Sequence, residues 1–241
     1  MIKRLTALLM ALSMCLALVA PVAAAVAKPY IDPSDRDGVW DRSHSYVVTK
    51  TLRVRSKPSN NADIIDVLPA GTQVVDLFKR DGSDWLCIEW GDGEIAYCGR
   101  QYTAENNAGH YEDVLIREDT ATYFNRKGTD KAGSIKAAAV VRATGSTISY
   151  KGTALTPCMV GESWVFIPCA KLCYTDAAII RKKAKRKADI LTDVKKGKKD
   201  GTVKKGDTVT ITGSIGKHYQ IAKRSKKKLV FRYVPKAAIQ R

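Results

Sequence analysis

The signatures of catalysis are missing from this 241-residue chain. It carries three histidines, His44, His110 and His218, and no HExxH, GxSxG or CxxC run occurs. The sequence marks of zinc peptidases, α/β-hydrolases and dithiol oxidoreductases are therefore absent. A cysteine nucleophile needs a thiolate beside a histidine on a framework that buries the pair. Cys87, Cys98, Cys158, Cys169 and Cys173 instead lie in short strand-like or turn-like runs, and none opens a helix. The carboxylates of 28–113 have no spacing that singles out an acid/base pair. Neither catalysis, nor a metal, nor a cofactor is expected. Long helical periodicity is missing too, as is any second apolar run long enough to span a membrane.

Acid is the last scarcity, and it is local. Residues 179–241 hold 21 Lys and Arg but only Asp189, Asp193, Asp200 and Asp207. Residues 28–178 hold 18 Lys and Arg against 20 Asp and Glu, so the basic excess is confined to the last quarter. Such asymmetry points to a polyanionic partner rather than to general solubility.

The first 27 residues, "MIKRLTALLMALSMCLALVAPVAAAVA", read as an export signal. Lys3 and Arg4 form the basic start, Leu5 to Val19 the apolar core, and Ala25-Val26-Ala27 the cleavage signal. Cleavage before Lys28 is expected, with cleavage after Ala25 the next choice. The core falls short of the ~20 residues a spanning helix needs. The protein is expected to be secreted, with no transmembrane segment once the signal is removed. A polar linker over 28–45, including Trp40, follows the signal.

Beyond the linker the chain repeats. Residues 65–78, "IDVLPAGTQVVDLF", 132–145, "AGSIKAAAVVRATG", and 200–213, "DGTVKKGDTVTITG", agree in three columns. Leu68, Ile135 and Val203 align, then Gly71, Ala138 and Gly206, then Val74, Val141 and Val209. Downstream, "GSDWLCI" (82–88) aligns with "GESWVFI" (161–167) and, more weakly and one residue out of step, with "GKHYQIA" (216–222), so that Trp85, Trp164 and His218 share the tryptophan position. Units result at 46–103, 111–176 and 179–241. Each has short alternating runs between Gly, Asp, Asn and Pro turns, the pattern of a small β-barrel. The fold class is all-β, three tandem barrels after a signal peptide.

The first unit resembles the bacterial SH3-like family. It carries the family's Leu-x-Val-Arg-Ser-x-Pro-Ser run as "LRVRSKPS" (52–59), then "VLPAGTQV" and Trp85 in "DWLCI". The third unit keeps "GTVKKGDTVTI" without the Val-Arg-Ser run; the second keeps "GSIK" but has Ala138 for the turn glycine. The resemblance implies a non-enzymatic targeting module of the cell envelope that binds peptidoglycan or its cross-bridges. Such modules commonly accompany a hydrolase domain, for which no residues are left over here.

Three lysine clusters mark the third unit as the polyanion-binding part. They are "RKKAKRK" (Lys182, Lys183, Lys185, Arg186, Lys187), "KKGKK" (Lys195, Lys196, Lys198, Lys199) and "KRSKKK" (Lys226, Lys227, Lys228). Lysine suits diffuse attraction to phosphate better than bidentate recognition. The expected partner is the bacterial wall, its peptidoglycan or anionic polymer, or else an extracellular protein. Nucleic acid would be bound only without base readout. Trp90 and Tyr102 are candidate ligand-contacting aromatics. In an exported protein the cysteines suggest disulfides, Cys87–Cys98 across the "EWGDGE" hairpin and Cys158–Cys169 in the second unit.

Overall fold

The computed structural model describes residues 44–77, 84–90, 94–106 and 111–240. The signal at 1–27, Trp40 and most of the polar segment 28–45 lie outside the described residues, as does the tip of the first hairpin at 91–93. Every regular element described is a β-strand or a short 3-10 turn, and all strand pairs are antiparallel. The all-β class therefore holds, in sheets consistent with SH3-like domains.

The strands fall into three groups. The first contains β1 (Ser45–Val48), β2 (Leu52–Arg55), β3 (Ile64–Leu68), β4 (Gln73–Val75), β5 (Trp85–Trp90), β6 (Glu94–Gly99) and β7 (Thr103–Glu105). The second has β8 (Glu112–Ile116), β9 (Thr120–Tyr123), β10 (Lys131–Ile135), β11 (Val140–Ala143), β12 (Ile148–Tyr150), β13 (Thr153–Val160), β14 (Ser163–Pro168) and β15 (Leu172–Cys173). The third has β16 (Ile180–Lys183), β17 (Ala188–Leu191), β18 (Lys199–Val203), β19 (Thr208–Ile215), β20 (His218–Ser225) and β21 (Lys228–Pro235).

One pairing scheme recurs. Each opening strand pairs with a later one across the group: β1 with β4, β8 with β11, β16 with β19. The next strand pairs both with its successor, β2–β3, β9–β10 and β17–β18, and with the far strand of a hairpin, β6, β14 or β21. That hairpin is β5–β6, β13–β14 or β20–β21. A 3-10 turn then brings the chain back to the opening strand, through β7, through β15, and in the third group through the Ala184–Ile239 bridge.

The turn after the third strand of each group has one geometry. Gly71, Ala138 and Gly206 have φ of 88°, 64° and 91°. Their N–H groups donate to the carbonyls of Val48, Ile116 and Ala184 at 2.7, 2.8 and 2.7 Å. Glycine reaches this left-handed region freely, and alanine does so at a steric cost. Leu68, Ile135 and Val203 end the strands before the turns, and Val74, Val141 and Val209 are buried just after them.

The tryptophan column is corrected by the register. Trp85 starts β5 opposite Gly99, and His218 starts β20 opposite Pro235. In the second group the residue opposite Pro168 is Leu155, on β13; Trp164 lies one strand later, opposite Met159. The reason is an insertion, β12, which folds back on β13 before the hairpin proper begins. Pro157 sits where β13 changes partner from β12 to β11, so its missing N–H interrupts no continuous ladder.

Each group buries its own core. Val48, Leu52, Val54, Leu86 and Ile88 fill the first, Val114, Ile116, Val141 and Ile167 the second, and Ile190, Val209, Ile211 and Val234 the third. A fourth cluster joins Val47 and Ala104 of the first group to Leu155 and Phe166 of the second. Leu155 and Phe166 are fully buried, a contribution of about 1.5–3 kcal/mol each. On barrels this small, that shared burial matters to both.

The segment just after each opening strand, 49–51, 117–119 and 185–187, is equivalent by its hydrogen bonds. Thr49, Arg117 and Lys185 donate their N–H groups to Tyr102, Lys171 and Ala238 carbonyls at 2.9, 2.7 and 2.8 Å. In the first two groups this connector docks on the following group. The Thr49 hydroxyl donates to the Phe124 carbonyl, and Lys50 pairs with Asp130 at 2.7 Å. Asp119 accepts both Nε and Nη2 of Arg224, at 2.8 and 2.6 Å. Two backbone bonds reinforce that contact: Asp119 N–H to the Lys227 carbonyl at 2.8 Å, and Leu229 N–H to the Arg117 carbonyl at 2.6 Å.

Candidate polyanion-binding surface

The basic residues of the third group are presented by its connections more than by its strands. Lys182 and Lys183 lie on β16, and Lys185, Arg186 and Lys187 form the connector to β17. The turn at 204–207 is folded against that connector, since Gly206 N–H donates to the Ala184 carbonyl and Ala184 N–H to Asp207 at 2.8 Å. Lys204 and Lys205, both exposed, thus join the first cluster. Sequence reasoning missed them, because the turn motif "VKKGD" reads as fold rather than as surface.

The second cluster caps the β17–β18 turn. The Asp193 carboxylate accepts the N–H groups of Lys195 and Lys196 at 2.7 and 3.2 Å. Those bonds hold its acidity stronger than usual and shape the loop, while Lys195, Lys196 and Lys198 stay exposed. Lys199 differs, being paired with Asp189 at 2.7 Å.

The third cluster, Lys226 to Lys228, is exposed, and the hairpin that carries it also docks on the second group. Lys226 and Lys227 form the two-residue turn of the β20–β21 hairpin with φ of 46° and 67°. Both angles belong to a type I′ turn, where Asn-Gly is favoured. The hairpin end rests on the second group, bridging Lys228 to Glu118. The Lys227 carbonyl is thereby occupied, and Lys228 adds its charge to those that lower the Glu118 pKa, after the larger effect of Lys171. Below the hairpin, Arg232 and then Lys223 hold the Asp200 carboxylate below its ordinary range. All three clusters are therefore exposed, and the third sits on a hairpin whose backbone also forms a joint with the second group.

Trp90 and Tyr102 are placed otherwise than expected. Both are half-buried against the first core. The Tyr102 hydroxyl shares a hydrogen bond with Asp130, and Lys50 stands 5.8 Å from its ring. Burial, more than the nearby Asp130 charge, raises its pKa. Tyr102 belongs to the joint between the first two groups.

Neither expected disulfide is formed. Cys98 lies opposite Leu86, and Cys87 lies opposite Tyr97, so the two sulfurs project to opposite faces of the sheet. An offset of one residue suffices, because side chains alternate with period two. Cys158 is wholly buried, with its thiol on the Thr156 carbonyl at 3.6 Å, while Cys169 contacts the Thr156 hydroxyl at 3.0 Å. Burial pushes the thiols of Cys98 and Cys158 up to about 12, the reverse of nucleophile activation.

A further charged site lies beneath the first barrel. Asp76, 1% exposed, accepts Arg100 Nη2 at 2.7 Å and the Cys87 N–H at 3.1 Å. Arg100 Nη1 donates to the Tyr46 hydroxyl at 3.3 Å. Nothing in the spacing of residues 24 apart announces this pair.

Residues 50–104 match the family model of the bacterial SH3 domain. That span covers β2 to the start of β7, and over it the chain is similar to the bacterial SH3 domain. None of the curated proteins matches the chain. Among solved structures, one similar chain is NlpC1 from Trichomonas vaginalis, at 9% identity and a TM-score of 0.24, over 85% of this chain and 94% of that one. A likeness that slight bears on neither fold nor function.

Proposed function

We propose that this is an exported, non-catalytic binding protein of three tandem SH3-like units, whose third unit adsorbs to a phosphate-bearing polymer of the bacterial cell wall. The observation that carries the reading is the confinement of 21 basic against 4 acidic residues to 179–241, on a unit that presents them from folded connections. The similarity of 50–104 to the bacterial SH3 domain supports it, since the resemblance implies an envelope- or protein-binding module. Export rests on the signal reading of 1–27. The near-neutral first two units suit peptidoglycan or its peptides.

The second reading is recruitment or inhibition of an extracellular protein. It is favoured by β3, an edge strand among the described residues, on which Ile64, Ile65 and Val67 are 49%, 45% and 47% exposed. Such an edge can accept an extended peptide as an added strand.

The test replaces Lys195, Lys196 and Lys198 by Gln in the mature protein. These ammonium groups have no carboxylate partner within ion-pair distance among the described residues. The variant should fold as the parent does, by circular dichroism and thermal midpoint. Its adsorption to intact walls should be weaker, with a salt dependence shallower by up to about three, one for each phosphate contact removed. Unchanged adsorption would leave this cluster as a solvated face.

A further inference from the structure

Three edge strands occupy equivalent places in the three units. Among the described residues, β3, β10 and β18 each stand at the end of their sheet. Their registers match position for position. Leu68, Ile135 and Val203 lie opposite Leu52, Thr120 and Ala188, and Val67, Ser134 and Thr202 lie opposite Arg53, Ala121 and Asp189. Beyond a bulge common to all three, Ile64, Lys131 and Lys199 lie opposite Arg55, Tyr123 and Leu191. The chemistry at these positions diverges. The second and third units hold a lysine and a hydroxyl residue there, Lys131 with Ser134 and Lys199 with Thr202. Charged side chains on an edge, lysine above all, deter another strand from pairing with it. The first unit holds Ile64 and Val67 instead, both exposed, with exposed Ile65 between them. One edge of three thus lacks the deterrent its siblings carry and shows apolar side chains in its place.

The charge on this edge indicates what fits it. Ile64 and Val67, opposite Arg55 and Arg53, share the outer face, while Asp66, opposite Val54, lies on the other. Asp66 is exposed and is in no ion pair among the described residues; its carboxylate accepts the Val67 N–H at 2.6 Å. A second copy of the chain is a poor occupant. Full antiparallel overlap of two β3 strands sets each Asp66 against the other, like charges directly opposite. We propose that β3 accepts, as an added strand, an extended segment of a partner protein in which a lysine or arginine stands between two apolar residues. The apolar pair covers Ile64 and Val67 on the outer face. The basic residue meets Asp66 and draws its carboxylate off the Val67 N–H, which frees that group for main-chain pairing. The proposal rests on recruitment of an extracellular protein, the second reading of this chain, and makes no use of polymer adsorption.

The probe is a labelled peptide, acetyl-Ser-Thr-Val-Lys-Val-Thr-Ser-amide, titrated against the full mature chain by fluorescence anisotropy. It should bind the parent saturably. The same peptide with Glu for Lys should bind at least about fivefold more weakly, because like charges then face each other. Asp66→Lys should reverse that preference. Ile64→Lys with Val67→Ser, the residues of the second unit, should weaken binding at least about tenfold. Circular dichroism, thermal midpoint and wall adsorption of that variant should match the parent's. A parent that binds neither peptide overturns the inference and recruitment through an added strand together. Equal binding by the parent and the double variant, or a preference unmoved by Asp66→Lys, overturns the inference alone and leaves recruitment to another surface. Mass that rises with concentration in the parent but not in the double variant, by sedimentation velocity, would assign the edge to a second copy instead.

Discussion

At the scale of single residues, two positions show how far local chemistry sets the fold. Ala138 takes a φ of 64° where the other units have glycine. The left-handed region costs a residue with a Cβ about 1–2 kcal/mol. Ala138→Gly should therefore raise stability, by roughly 1 kcal/mol once the greater freedom of glycine in the unfolded chain is set against it. The midpoint of denaturant unfolding measures this, and a lower midpoint would contradict the turn geometry. Arg100 poses the opposite case. Removing it takes the guanidinium from a carboxylate that is 1% exposed and leaves it on the Cys87 N–H and its remaining contacts. Arg100→Met should destabilise the protein by about 3–5 kcal/mol, the usual result of breaking a buried pair from one side. Loss below 1 kcal/mol would mean that Asp76 is solvated. The alanine substitution was legible in the sequence because a repeat column exposed it. The ion pair was not, since only folding brings residues 76 and 100 together.

At the scale of elements, the repeat columns at and beside the turns coincide in the structure, and the tryptophan column, counted farther along the strands, does not. Gly71, Ala138 and Gly206 are tied to a backbone conformation, so their alignment survives changes elsewhere. Trp164 was matched through "GESW", yet a glycine turn before a tryptophan can precede either strand of a hairpin. The extra strand β12 shifted the count. Cys87 and Cys98 failed for a related reason: adjacency on neighbouring strands was legible, but the facing parity depends on a register that the sequence leaves open by one residue. The docking of the β20–β21 hairpin was illegible as well, because Asp119 and Arg224 are 105 residues apart.

That docking should respond to acid. Arg224 first, and then the Ala137 amide, hold the Asp119 carboxyl well below the usual carboxylate range. A carboxylate whose folded pKa is depressed contributes its stability above the unfolded value, about 3.9, and loses it as pH falls toward the folded one. The contact should thus be intact at pH 7 and weaken progressively below about pH 4. Hydrogen exchange at the Asp119 and Leu229 amides, corrected for intrinsic rates, should show protection falling over that range. Asp119→Asn should remove most of the pH dependence. Protection that is flat in pH would mean the backbone bonds alone hold the hairpin.

At the scale of the whole molecule, the organising feature is charge placed on one unit of three. Composition alone made that division legible. It did not show that one lysine cluster sits on a hairpin that also forms an internal joint, or that Lys204 and Lys205 enlarge the first cluster. If this charge is held out to a phosphate-bearing polymer, binding to purified walls must depend on both salt and the polymer. The mature protein would be titrated onto intact walls and onto walls stripped of their anionic polymer, between 0.05 and 0.2 M salt. Affinity for intact walls should fall at least about tenfold over that range, as expected when several neutralised phosphates release counterions. Stripped walls should retain only a weak, salt-insensitive remainder. Equal binding to both kinds of wall, flat across the salt series, would contradict the account.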